Sequence, residues 1–138
     1  MVLPLQNDIV YGPIKSRRLG ISSGINVLST EKKICTFNCV YCQYGWTRIH
    51  RSRTTKSDRL PEVTHVLEAV EKALRTIHPK PPYITFSGNG EPTLHPNFAE
   101  IVDGVIQLRN RFAPRSHTAI LTNSTQAIHG HIRKAIAK

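Results

Sequence analysis

Three times between Ser22 and Lys138 a short β-rich run gives way to a helical apolar period, and this alternation constrains the fold more than any other feature of the chain. Ser22 to Leu28, Tyr83 to Ser87 and Thr118 to Thr122 read as short strands. From Pro61 to His78 the residues Val63, Val66, Leu67, Val70, Leu74 and Ile77 keep the i, i+3, i+4, i+7 rhythm, with Pro61 in the first turn. Asn97 opens a second helix, with Glu100 at the reciprocal capping position and Phe98, Ile101, Val102, Val105, Leu108 and Phe112 as its buried stripe. Gln126 to Ala137 starts a third through Ile128, Ile132 and Ile136. Strands alternating with helices build a parallel sheet with right-handed crossovers, so the expected class is α/β with about three βα units. Tyr11 to Gly20 mixes turn formers with cations and reads as an ordered loop.

Every cysteine of the chain falls within Cys35-Thr36-Phe37-Asn38-Cys39-Val40-Tyr41-Cys42. Three thiols on one loop can converge on a point, and thiolates are preferred ligands of zinc and of iron–sulfur clusters. A disulfide framework fits poorly, because the odd count leaves one thiol over. Structural zinc needs four protein ligands; His50 would complete a Cys3His set, but the linker from Tyr44 to Ile49 has no zinc-finger pattern. A [4Fe–4S] cluster held by three cysteines leaves one iron without a protein ligand, as a cluster that binds a cofactor or substrate directly requires.

At these residues the chain resembles the radical S-adenosylmethionine (radical SAM) superfamily, whose C-x3-C-x-aromatic-C pattern is matched by Cys35, Cys39, Tyr41 and Cys42. The segment Tyr11 to Asn26, around Ser16-Arg17-Arg18-Leu19-Gly20, is similar to the lead-in of Fe–S oxidoreductases related to the tRNA wybutosine-synthesis enzymes. Between the second strand and second helix, Gly88-Asn89-Gly90-Glu91-Pro92 resembles the glycine-rich motif that receives the methionyl ammonium of SAM. The resemblance implies that Cys35, Cys39 and Cys42 hold a [4Fe–4S] cluster and that SAM binds the open iron. It places Val40 and Tyr41 beside the adenine, Gly88, Asn89, Gly90, Glu91 and Pro92 at the amino group, and Asn123 within reach of the ligand. The implied reaction is reductive cleavage of SAM to methionine and a 5′-deoxyadenosyl radical, with ferredoxin or flavodoxin as the reductant and no catalytic side chain assigned. The implied fold is a (βα)6 partial barrel, of which residues 1–20 would be a lead-in and 21–138 the N-terminal half. A second chain completing the barrel is an expected partner, and the half-barrel alone is expected to be weakly active or inactive.

Charge supplies a competing function. The 138 residues hold 19 Lys and Arg against 9 Asp and Glu, a formal +10 that favours polyanions such as RNA or tRNA. Arg48, His50, Arg51, Arg53, Lys56 and Arg59, with Tyr44 and Trp46 nearby and Asp58 the one acid, fit either a phosphate-tracking loop or a solvated one. Arg17 and Arg18 suit a clamp on phosphate or carboxylate, or simple ion pairing. The alternative is therefore a basic RNA- or tRNA-binding module with a structural or vestigial metal loop. No apolar run approaches the roughly 20 residues of a membrane span, no secretion signal is evident at the start, and reduced thiols suit the cytoplasm.

Overall fold

A computed structural model of the chain describes residues 2–48 and 50–138; Met1 and Ile49, each at the end of a stretch read above, lie outside the described residues. In chain order the elements are strands β1 (Val10–Ser16) and β2 (Gly20–Ile25), helix α1 (Val63–Thr76), β3 (Tyr83–Phe86), α2 (Phe98–Phe112), β4 (His117–Ile120) and α3 (Gly130–Ile136). The strands form one sheet in the order β1-β2-β3-β4. The pairs β2 with β3 and β3 with β4 are parallel, as the βα alternation requires, while β1 runs antiparallel to β2.

Strand β1 corrects the reading of Tyr11 to Gly20 as a loop. Gly12 and Pro13 interrupt the strand pattern, and the pairing register shifts between Tyr11 and Ile14 to take them in. An edge strand tolerates such an irregularity because its outer N–H groups have no ladder to serve. Arg17 and Arg18 are exposed in the turn that links β1 to β2.

Residues in register alternate between the two faces of the sheet. Ile25, Phe86 and Ile120 share one row. On that side lie the helices: Phe86 meets Phe98 edge-on at 5.5 Å, and the core gathers Val66, Val70 and Leu74 of α1 with Phe98, Ile101 and Val105 of α2. Gly24, Thr85 and Ala119 share the next row on the opposite face, where Ser22 and Thr85 hydroxyls bond at 2.6 Å. One face is thus a core and the other is small and polar.

The expected strands shift at their ends, most in β2, which runs Gly20–Ile25 instead of Ser22 to Leu28, and the helices differ in their starts and caps. Helix α1 begins at Val63 with Glu62 as its N-cap, so Pro61 precedes the helix instead of lying in its first turn. Asn97 occupies the N-cap position of α2, but its side chain makes no capping hydrogen bond and the reciprocal box does not form; the Asn97 N–H donates instead to His95 Nδ1 at 3.1 Å. The expected third helix splits into a 3-10 turn (Thr125–Ile128) and α3, with Gly130, a poor helix former, at the break.

Candidate metal and cofactor site

The C-terminal ends of β2, β3 and β4 deliver three loops to one edge of the sheet, the position at which parallel α/β folds place ligands. After β2 the chain runs buried from Asn26 to Ser29 and then makes the excursion that carries the cysteines. Asp58 closes the base of that excursion. Its carboxylate is 0% exposed and meets Lys32, before the cysteines, at 2.8 Å and Arg51, after them, at 2.7 Å. Burial opposes ionisation of Asp58, but hydrogen bonds from Lys32 and Thr55 outweigh it and pull its carboxyl down from 3.8 to about 2. The Arg51 N–H donates to the Cys35 carbonyl at 3.1 Å, where Cys35 bridges His50. Arg51 is thereby committed inside the loop, whereas Arg48, Arg53 and Lys56 are exposed.

The glycine-rich loop after β3 is hydrogen-bonded to the strand-like residue just before the first cysteine. Ile34 N–H donates to the Asn89 carbonyl and Glu91 N–H donates to the Ile34 carbonyl, both at 3.0 Å, forming a parallel bridge between Ile34 and Gly90. Gly90 has φ of 135°, and a Cβ there would sit inside the Ile34 carbonyl group. Gly88, at φ 130°, lies against the side chain of Asn26. At both positions only glycine combines the backbone angle with so close an approach.

Asn89 and Glu91 face inward. Asn89 is 0% exposed; its side chain accepts from the Gln6 N–H at 2.8 Å and donates to the Gln6 and Ser29 carbonyls at 2.9 Å. The N-terminal segment continues this strap, for Leu3 N–H donates to the Gln43 carbonyl at 2.7 Å and the Gln6 amide to the Tyr44 hydroxyl at 2.9 Å. Glu91 is 2% exposed. Its Oε1 accepts from Thr93 N–H at 3.1 Å, the Thr93 hydroxyl at 2.6 Å and the Thr122 hydroxyl at 2.7 Å, and its Oε2 accepts from Asn123 N–H at 2.6 Å. The carboxylate thus ties the loop after β3 to the end of β4. Pro92 is buried at the start of a 3-10 turn (Pro92–Leu94).

Asn123 completes the connection. Its side-chain amide donates to the Thr36 hydroxyl at 2.8 Å and approaches the Cys35 sulfur at 3.6 Å, while its oxygen accepts from Thr125 N–H at 3.1 Å. It serves both as a local turn former, through Thr125, and as a bridge to the cysteine loop.

The three thiols are free and half-buried. Their expected convergence is not met: among the described residues no three His, Cys, Asp or Glu side chains are grouped to hold a metal ion. Thiols do not attract one another, and the outer two sulfurs follow nearby donors, Cys35 toward Asn123 and Cys42 toward the Lys33 ammonium at 3.1 Å. Burial pushes the Cys35 thiol up, Glu91 adds to the shift, and Lys33 opposes it. In chemistry the donor set still fits an iron–sulfur cluster, with three soft ligands on one loop and hydrogen-bond donors beside two of the sulfurs. Val40 and Tyr41, 93% and 83% exposed, stand out between the second and third cysteines.

Sequence reasoning missed Lys32, Lys33, Asp58, Gln6 and Thr36. Only Asp58 carried a signal, as the lone acid among cations from Arg48 to Arg59.

Among the described residues no helix is long and apolar enough to cross a membrane. No solved structure matches the chain. A UPF0026 protein of Helicobacter pylori is 32% identical over 93% of this chain and 39% of its own length. A UPF0026 protein of Synechocystis is 34% identical over 93% of this chain and 44% of its own, and one of Methanocaldococcus jannaschii 37% identical over 93% and 37%. The chain thus spans about two fifths of the length of these curated relatives. The family model described as the radical SAM superfamily matches residues 32–134, which include the cysteine loop, the glycine-rich loop and Asn123, and the chain belongs to that superfamily.

Proposed function

We propose that the chain carries the cluster-binding and methionyl-binding part of a radical SAM enzyme, a half-barrel of the type to which the wybutosine-related Fe–S oxidoreductases belong. Cys35, Cys39 and Cys42 would hold a [4Fe–4S] cluster, with SAM as the ligand of the remaining iron. Such a cluster would supply the electron needed for reductive cleavage of SAM to methionine and a 5′-deoxyadenosyl radical.

The observation that carries this reading is the bridge between Ile34 and Gly90, which binds the cysteine loop directly to the loop that would receive the ammonium group. The chain's own residues divide the work. With Oε1 saturated and Oε2 bonded to the Asn123 backbone, Glu91 acts mainly as a clamp. Of the backbone carbonyls from Gly88 to Pro92, those of Gly88, Asn89, Glu91 and Pro92 already accept one N–H each, so the Gly90 carbonyl and the second lone pairs of the others would be the acceptors for an ammonium, and the glycines let them come close. Asn123 orients the loop at Cys35 and Thr36. Tyr41 and Val40, exposed beside the thiols, offer an aromatic and an apolar surface against which an adenine can rest.

Anaerobic reconstitution with iron and sulfide tests the proposal. The expected product holds about four irons per chain, shows an EPR signal on reduction that changes when SAM is added, and loses both in C35A, C39A or C42A. Stoichiometric zinc uptake with no cluster assembly overturns it.

A further inference from the structure

Lys32 and Lys33 are adjacent, yet their ammonium groups serve different partners. Lys32 is spent on Asp58. Lys33, half-buried, donates to the Gly45 carbonyl at 2.6 Å and to the Cys42 sulfur at 3.1 Å. Among the described residues Lys33 has no carboxylate partner, so its charge is not neutralised by an ion pair. The placement is rigid at its base, since the next residue, Ile34, is 2% exposed and bridged to Gly90. A second anchor lies in the turn itself, where Cys42 N–H donates to the Cys39 carbonyl at 3.0 Å and Gly45 N–H to the Cys42 carbonyl at 3.2 Å.

We propose that Lys33 is a positioning residue that sets the reduction potential of the cluster site through Cys42. The inference rests on the cluster reading above. When Cys42 is a ligand thiolate, a cationic N–H donor at its sulfur withdraws charge from the site. The reduced state carries one more electron than the oxidised state, so a fixed positive charge stabilises it more. Lys33 therefore makes the site easier to reduce. Its contact with Gly45 holds the ammonium in place, and a merely structural Lys33 would stop there. Charge is the property that separates the two roles: Lys33→Arg keeps it, while Lys33→Met and Lys33→Gln remove it.

The test is an EPR-monitored redox titration of the reconstituted chain, as wild type, K33R, K33M and K33Q. We expect K33R to titrate with the wild type. For K33M and K33Q we expect about a tenfold fall in the ratio of reduced to oxidised cluster at the wild-type midpoint, or about 59 mV more negative for a one-electron couple. Should K33M fail to fold or load, K33Q carries the comparison. Neutral variants that titrate with the wild type overturn the inference and leave the cluster reading intact, as does K33R shifting as far as K33M. A wild-type chain that binds zinc and builds no cluster overturns the cluster reading and this inference with it.

Discussion

Two residues of the glycine-rich loop carry most of the geometry of the site. Gly90 has no room for a side chain, because a Cβ would overlap the Ile34 carbonyl that Glu91 N–H bonds. Gly90→Ala must therefore part the two loops or strain both; with φ also positive, we expect a loss of about 3 kcal/mol or more in urea unfolding. Glu91 presents a different case, since its neighbours all donate. Glu91→Gln keeps the volume but turns an NH2 group toward a donor, either the Thr93 N–H at the Oε1 position or the Asn123 N–H at the Oε2 position. An unpaired buried donor costs about 1 to 3 kcal/mol. Urea unfolding of E91Q checks the figure, and amide exchange should quicken from Thr122 to Thr125, where Glu91 holds the end of β4.

At the scale of elements, the cysteine excursion behaves as a loop with a clasp. Asp58 joins Lys32 and Arg51 on either side of it, and the strap from Leu3 to Gln6 crosses its far side to reach Gln43, Tyr44 and Asn89. The Asp58 carboxyl is held at about 2 when folded, against 3.8 for the ordinary group. A depressed carboxyl contributes stability that is complete above the unfolded value and lost as pH falls through the folded one. The loss should therefore fall between 3.8 and about 2. Unfolding titrations across that window should show this slope in the wild type and not in Asp58→Asn, which should also be about 2 kcal/mol less stable at neutral pH.

On the scale of the whole molecule, the sheet is covered on one face and finished at one edge. Helices pack against the row of Ile25, Phe86 and Ile120, while the opposite face offers Gly24, Thr85 and Ala119. Strand β4 pairs with β3 and is the last strand of the sheet, and Leu121 just beyond it is 51% exposed. An open parallel edge invites pairing with another strand. The isolated chain should accordingly self-associate in anaerobic size-exclusion chromatography and release 5′-deoxyadenosine slowly. A stable monomer that cleaves SAM at about 1 s⁻¹ or faster, within the range of ordinary enzymes, would show that three parallel strands suffice.

Sequence alone determined the elements that depend on local pattern. The periods of α1 and α2 and the β-rich runs of β2, β3 and β4 are all legible, because the side chains that must be buried recur at the spacing of the element. The cysteine and glycine motifs were legible for a related reason, since short spacings on one loop carry chemistry that few other patterns share. Tertiary structure decided what comes from distant residues meeting. Strand β1 exists through its pairing with β2, which absorbs Gly12 and Pro13. Asn89 and Glu91, singled out by their motif, also tie loops together, a role that comes from Gln6 and Asn123 supplying groups that match them. Lys32 and Lys33, indistinguishable as neighbouring cations, were separated by partners nine or more residues away in the chain, Asp58 for one and Cys42 for the other. Hydrogen bonds and ion pairs act over a few ångströms whatever the distance along the chain, so only the folded molecule could assign them.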